Sequence, residues 1–170
     1  MTVTLNSAGG ASVPNWSLVS SNTPTGVSTY TFSGLGGYSK YRILIPTIKC
    51  ATSTDTLSVR FNSDSGNNYA YGYSAIFPSA PYLDSASSVG TGISIGNIDT
   101  TLNSMLQLDV DNALLSAPKF ISGIHNSELN AINKQITAQY ITSSALTSIT
   151  VFTSIGHNFT SGTIYLFGAN

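Results

Sequence analysis

The 170-residue chain carries six Lys and Arg against seven Asp and Glu, a net charge of −1, and only 8% of its residues are charged. That balance excludes an electrostatic footprint for nucleic acid and a basic run for anionic lipid. A hydrophobic fraction of 41% with 10% aromatic residues excludes a disordered polar chain, and the single cysteine, Cys50, excludes an intrachain disulfide.

Residues 1–14 are mostly small and polar, include Gly9 and Gly10, and are expected to form an N-terminal arm ahead of a single β-sandwich domain over 15–170. Met1-Thr2-Val3-Thr4-Leu5 has no basic or apolar leader pattern, and no stretch approaches 18 apolar residues. A signal peptide and membrane insertion are therefore not expected. Residues 27–32 alternate apolar and polar, the period of a half-buried strand. Gly34-Leu35-Gly36-Gly37 joins two strands, opens no helix and precedes no Gly-Lys-Ser or Gly-Lys-Thr, so it reads as a tight turn rather than a phosphate cradle. Residues 41–48 are mostly apolar, as in a strand covered on both faces, with Pro46 marking a bulge or an edge. Residues 57–61 alternate again. The run 62–68, Asn-Ser-Asp-Ser-Gly-Asn-Asn, is a turn cluster without the spacing or the downstream Glu of a calcium loop.

Tyr69, Tyr71 and Tyr73 fall on one face of the next strand, by its period of two. Residues 77–90, with Pro78 and Pro81 among small polar residues, are expected to be a long loop carrying Tyr82. Further strands are expected over 92–98, 105–110, 119–125, 135–141, 149–152 and 163–167, with one short helical turn within 127–135. About ten strands without a long amphipathic helix predict an all-β fold, a jelly-roll-like antiparallel β-sandwich.

Candidate chemistry is sparse. Gly92-Ile93-Ser94-Ile95-Gly96 matches the Gly-x-Ser-x-Gly pattern, and Asp109 or Asp111 and then His125 or His157 follow in the chain order of a hydrolase triad. The pattern needs a strand-to-helix turn, however, and no helix is expected after Gly96; Ile93 and Ile95 alternate as in a plain strand. Asp109 and Asp111 share a strand face around an inward Val110, which favours a solvated face over a calcium site. Glu128 is the only glutamate, poor material for the paired carboxylates of a glycosidase. One cysteine and two scattered histidines give no zinc spacing. Both histidines precede an asparagine, which suggests strand ends or turns, and Cys50 follows an apolar run and is expected to be buried. No catalytic, cofactor-binding or metal-binding residue is assigned, and the chain is expected not to be an enzyme. Tyr69, Tyr71, Tyr73 and Tyr82 remain as candidate surface-binding or interface residues, offering flat rings to a sugar or to a subunit.

Two stretches resemble small β-sandwich proteins of tailed-bacteriophage virions. The first runs from Tyr30-Thr31-Phe32-Ser33-Gly34-Leu35 through Tyr38-Ser39-Lys40-Tyr41-Arg42-Ile43-Leu44-Ile45 to Leu57-Ser58-Val59-Arg60-Phe61-Asn62-Ser63-Asp64-Ser65-Gly66-Asn67-Asn68-Tyr69. The second is Phe159-Thr160-Ser161-Gly162-Thr163-Ile164-Tyr165-Leu166-Phe167-Gly168. The resemblance implies a virion structural protein: a head decoration, a head spike or fibre, or a tail-fibre module. It implies a symmetric homo-oligomer, a trimer before others, contacting other virion proteins and a host surface glycan. It carries no catalytic residues. The expected location is the virion. A lectin-like carbohydrate-binding module and a small polysaccharide-acting hydrolase are the alternatives.

Overall fold

Period-two alternation of apolar and polar residues becomes two antiparallel sheets facing one another. The computed structural model describes residues 14–52, 54–77 and 80–170, with the side chains of residues 77, 80–87 and 130 outside the description. The expected N-terminal arm falls almost wholly on residues 1–13, outside the described residues.

Thirteen strands are described: β1 (Ser17–Asn22), β2 (Thr29–Ser33), β3 (Lys40–Cys50), β4 (Asp55–Phe61), β5 (Tyr69–Phe77), β6 (Ala80–Gly90), β7 (Ile93–Ile98), β8 (Ser104–Asp111), β9 (Lys119–Ser127), β10 (Ile132–Tyr140), β11 (Ser148–Thr153), β12 (Phe159–Gly162) and β13 (Ile164–Ala169). The larger sheet has the order β1-β13-β3-β8-β9-β10-β5-β6, and β12 also pairs with β3. The smaller sheet has the order β2-β11-β4-β7. A single 3-10 turn, Leu129–Ala131, answers the short helical turn expected between residues 127 and 135.

The core lies between the sheets. Ile43, Ile45, Leu106, Leu108, Val110 and Ile121 come from the larger sheet; Leu57, Val59, Ile93, Ile149 and Val151 come from the smaller one, and all are at most 2% exposed. β8 shows the pattern most plainly, with every second residue buried. In β3 the alternation slips by one residue at Pro46, and the register against β8 shifts between Ile45 and Ile48. Proline has no N–H to give a ladder, so the bulge removes it from the pairing and lets an interior strand keep it.

The turn at 62–68 is built as its residues require. Asn62 and Ser63 take left-handed backbone, at φ 53° and 56°. The Asp64 carboxylate accepts from the Gly66 N–H, the Asn68 amide and the Tyr140 hydroxyl, at 2.8, 2.8 and 3.0 Å. These bonds hold its pKa below the ordinary carboxylate value.

Two expectations are corrected. Residues 77–90 are not a loop: β6 occupies 80–90 and pairs antiparallel with β5, Leu83 opposite Ile76 through Gly90 opposite Tyr69. Small residues suit an edge strand, and Pro81 stands next to its first residue, where a missing N–H costs little. His125 does not end a strand, since β9 continues through Asn126 to Ser127.

Candidate functional site

The outward side of the larger sheet is where the fold concentrates unsatisfied apolar surface. Antiparallel register sets its residues in cross-strand rows. One row reads Asp111–Phe120–Gln139–Ala70–Val89, from β8 through β9, β10 and β5 to β6. The next reads Asp109–Ser122–Thr137–Gly72–Ser87, the third Gln107–Ile124–Gln135–Ser74–Ser85, and the fourth Met105–Asn126–Asn133–Ile76–Leu83. From β9 to β6 no row contains a charged residue. Phe120, Ile124, Ile76 and Val89 are 53%, 37%, 58% and 64% exposed. Phe120 and Val89 rim a shallow groove whose lining includes Ala70, Gly72, Thr137 and Gln139. In the sequence these residues were hidden in plain alternation. Lys119-Phe120-Ile121-Ser122-Gly123-Ile124 is apolar on both parities, and that double signal was the one available clue.

Charge returns abruptly at β8 and β3. Arg42 grips Asp109 with two bonds, Nε–Oδ1 at 2.6 Å and Nη2–Oδ2 at 2.7 Å, and Lys40 meets Asp111 at 2.7 Å. The guanidinium stacks on the Trp16 ring, 4.4 Å from its centroid. These hydrogen bonds, donated by Arg42 to the Asp109 carboxylate, raise the Arg42 pKa further. Asp109 and Asp111 do share an outward face, as their spacing requires, but each is neutralised by its own cation.

The tyrosines of β5 share a face, and it is the inward one. Tyr69 is fully buried, stacked on Tyr140 at 4.8 Å, with its hydroxyl bonded to the Phe61 backbone. Burial pushes its pKa upward. Tyr69 is thus a core residue and offers no ring to a partner, because Phe61 and Tyr140 close over it. Tyr71 and Tyr73 lie nearer the margin, where the eight-strand path outruns the four-stranded sheet, and both are half-buried. The Lys134 ammonium sits 4.2 Å from the Tyr73 ring centroid. The side chain of Tyr82 lies outside the described residues.

The triad candidates do not meet. Ser94 pairs with Ser58 on the outward face of the smaller sheet, whereas His125 points between the sheets and is 1% exposed. Residues 93–98 are a strand within that sheet, and no helix follows Gly96. His125 is pushed down to about 4, by burial first and then by the Lys134 charge. His157 belongs to a different structure, which sequence reasoning missed. Its Nδ1 lies 3.1 Å from Asp55 Oδ2, and Asp55 is buried. That carboxylate also accepts from the backbone N–H groups of Thr56, Ile155 and His157 and from the Ser154 hydroxyl. Burial alone would raise the Asp55 pKa, but these hydrogen bonds outweigh it and hold the pKa below the ordinary value. The cluster fastens the turn after β11 to the start of β4.

Cys50 is buried, and burial raises its thiol pKa. Among the described residues no three His, Cys, Asp or Glu side chains gather as a metal site, and no helix is long and apolar enough to cross a membrane. No protein-family model matches the chain, and no curated protein or solved structure matches it either.

Proposed function

We propose that this chain is an assembly module that packs against copies of itself through the uncharged outer face of β9, β10, β5 and β6. The observation that carries this reading is the set of four exposed apolar side chains, Phe120, Ile124, Ile76 and Val89, on rows without a charge. Large exposed apolar residues gathered on one sheet face mark an interaction site. A neutral face is complementary to itself, since a second copy brings no like charge to repel. Four strands about 4.8 Å apart and about nine residues long present a footprint of roughly 600 Å². Neighbouring side chains bring that close to the roughly 800 Å² per partner of a stable interface.

The strand order supports the finer reading of a jelly roll. The order β2-β11-β4-β7 faces β3-β8…β5-β6, and the β9–β10 hairpin widens the second sheet between β8 and β5. Jelly rolls recur in viral capsid and lectin domains. With the resemblance of the two sequence stretches, this favours a structural protein of a tailed-phage virion, built as a closed homo-oligomer, a trimer before others. The chemistry asked of it is adhesion rather than turnover.

Sedimentation equilibrium at micromolar concentration tests the reading. The expected mass is that of an oligomer, and Phe120→Glu and Val89→Glu are expected to shift it to monomer with unchanged circular dichroism. A monomer from the unaltered chain, or an oligomer indifferent to both substitutions, would overturn it.

A further inference from the structure

The outer face of the smaller sheet, on the opposite side of the sandwich, holds a shallow groove of different chemistry. Its floor is a cross-strand row, Phe152 of β11, Ser58 of β4 and Ser94 of β7. The Phe152 ring reaches across β4 to Gly92, where an added Cβ would lie 3.2 Å from the ring Cζ. Arg60 lies over that ring, with its guanidinium carbon 4.6 Å from the centroid, and its Nε donates to the Thr91 carbonyl at 2.9 Å. Tyr71 closes one end beside Gly90 and lines the same groove as Ser94 and Arg60.

Two features separate this groove from an ordinary strand face. Arg60 has no carboxylate within ion-pair distance among the described residues, whereas Arg42 and Lys40 each have one. Lys119 is likewise satisfied, by the carbonyls of Leu115 and Ala117. The ring of Phe152 and the Thr91 carbonyl fix the Arg60 plane while its two terminal nitrogens make no hydrogen bond among the described residues. The hydroxyls of Ser94 and of Ser58, which is 5% exposed at the groove floor, also make none among the described residues. A guanidinium held in plane is a two-pronged donor matched to a carboxylate. Two hydroxyls on the floor, each donor and acceptor, match the alternating hydroxyls of a sugar. The edge of Tyr71 supplies apolar contact for a ring face.

We infer that this groove binds a carboxylate-bearing saccharide, a uronate unit of an acidic polysaccharide, with the carboxylate on Arg60 and the ring hydroxyls on Ser58 and Ser94. Arg60, Ser58 and Ser94 belong to the other outer face, while Tyr71 borders both this groove and the one beside Phe120 and Val89. The site also gives Ser94 and Tyr71 a shared role as binding groups.

Isothermal titration of the full chain with tetragalacturonate, its methyl ester and sodium acetate tests this. Saturable binding of the tetragalacturonate is expected, at least tenfold weaker for the neutral ester and absent for acetate at equal concentration. Arg60→Gln is expected to weaken binding at least tenfold and Ser94→Ala severalfold. No saturable binding of the acidic sugar would overturn the proposal, as would equal affinity for the ester or for acetate. Unchanged binding by Ser94→Ala would do the same, and that small surface substitution keeps the test open if Arg60→Gln fails to fold. Oligomeric mass, measured on the same samples, reports on assembly separately.

Discussion

The imidazole of His125 lies against Gly96, and only the missing side chain of that glycine makes room for it. A Cβ at Gly96 would fall 2.6 Å from both Cε1 and Nδ1 of the ring. The histidine belongs to β9 in the larger sheet and the glycine to β7 in the smaller one, so the contact bridges the two layers. The second glycine of the Gly-x-Ser-x-Gly stretch is thus a packing residue. Neither ring nitrogen of His125 has a hydrogen-bond partner among the described residues.

Gly96→Ala is therefore expected to destabilise the fold by about 1–3 kcal/mol, the ordinary cost of forcing an extra carbon into a packed core. His125→Ala should relieve part of that cost. A double-mutant cycle by urea denaturation is expected to show a coupling of about 0.5 kcal/mol or more. Additive losses would mean that the two residues do not touch.

His125 also predicts an acid sensitivity. Its pKa falls from the ordinary 6.5 to about 4 in the folded chain. The unfolded chain takes up a proton near pH 6.5 that the folded chain refuses until about pH 4. Stability is complete above that window and declines as pH falls through it, by about 3 kcal/mol in all. Denaturation midpoints between pH 4 and 7 should show this slope, and His125→Leu should flatten it.

Asp55 sets a second threshold. Its lowered pKa means that its contribution is present above the ordinary carboxylate range and lost as pH falls below it. Asp55→Ala leaves the backbone donors of Ile155, His157 and Thr56 without the buried carboxylate that accepts from them. It is expected to cost about 3–5 kcal/mol, with Asp55→Asn costing less because one oxygen remains. Thermal unfolding at pH 7 measures both.

Lys119 is fully buried, and its ammonium donates to the carbonyls of Leu115 and Ala117. Burial lowers its pKa. Lys119→Met keeps the apolar stem and removes those bonds. Amide exchange across residues 112–118 is expected to quicken, with a global loss of about 1–3 kcal/mol. Unchanged exchange in that loop would show that the ammonium does not hold it.

The strands of strong alternation were legible in the sequence, from 57–61 through 105–110, and so were the bulge at Pro46 and the turn at 62–68. β1 and β6 were not. Their residues are largely Ser, Ala, Gly and Asn with few β-branched side chains, so partners across the ladder rather than intrinsic pattern make them strands. Parity placed Tyr69, Tyr71 and Tyr73 together, but parity does not say which face is covered. Sheet width decides that, and here it buries Tyr69 while leaving Tyr71 at the margin. The Asp55–His157 contact and the Arg60–Phe152 stack join residues about 100 and 92 positions apart, a separation that spacing rules do not reach.

The place of β13 bears on how the molecule forms. Last of the described strands in chain order, it lies between β1 and β3, and β1 pairs with no other described strand. The meander β8-β9-β10 assembles from neighbours in sequence and can form early. β1 must wait, unpaired, until nearly every other strand has been placed. Non-local pairing of this kind is slow. The final docking of β1 is therefore expected to be a late kinetic phase, blocked by excess synthetic peptide of β1 sequence competing for the open edge of β13.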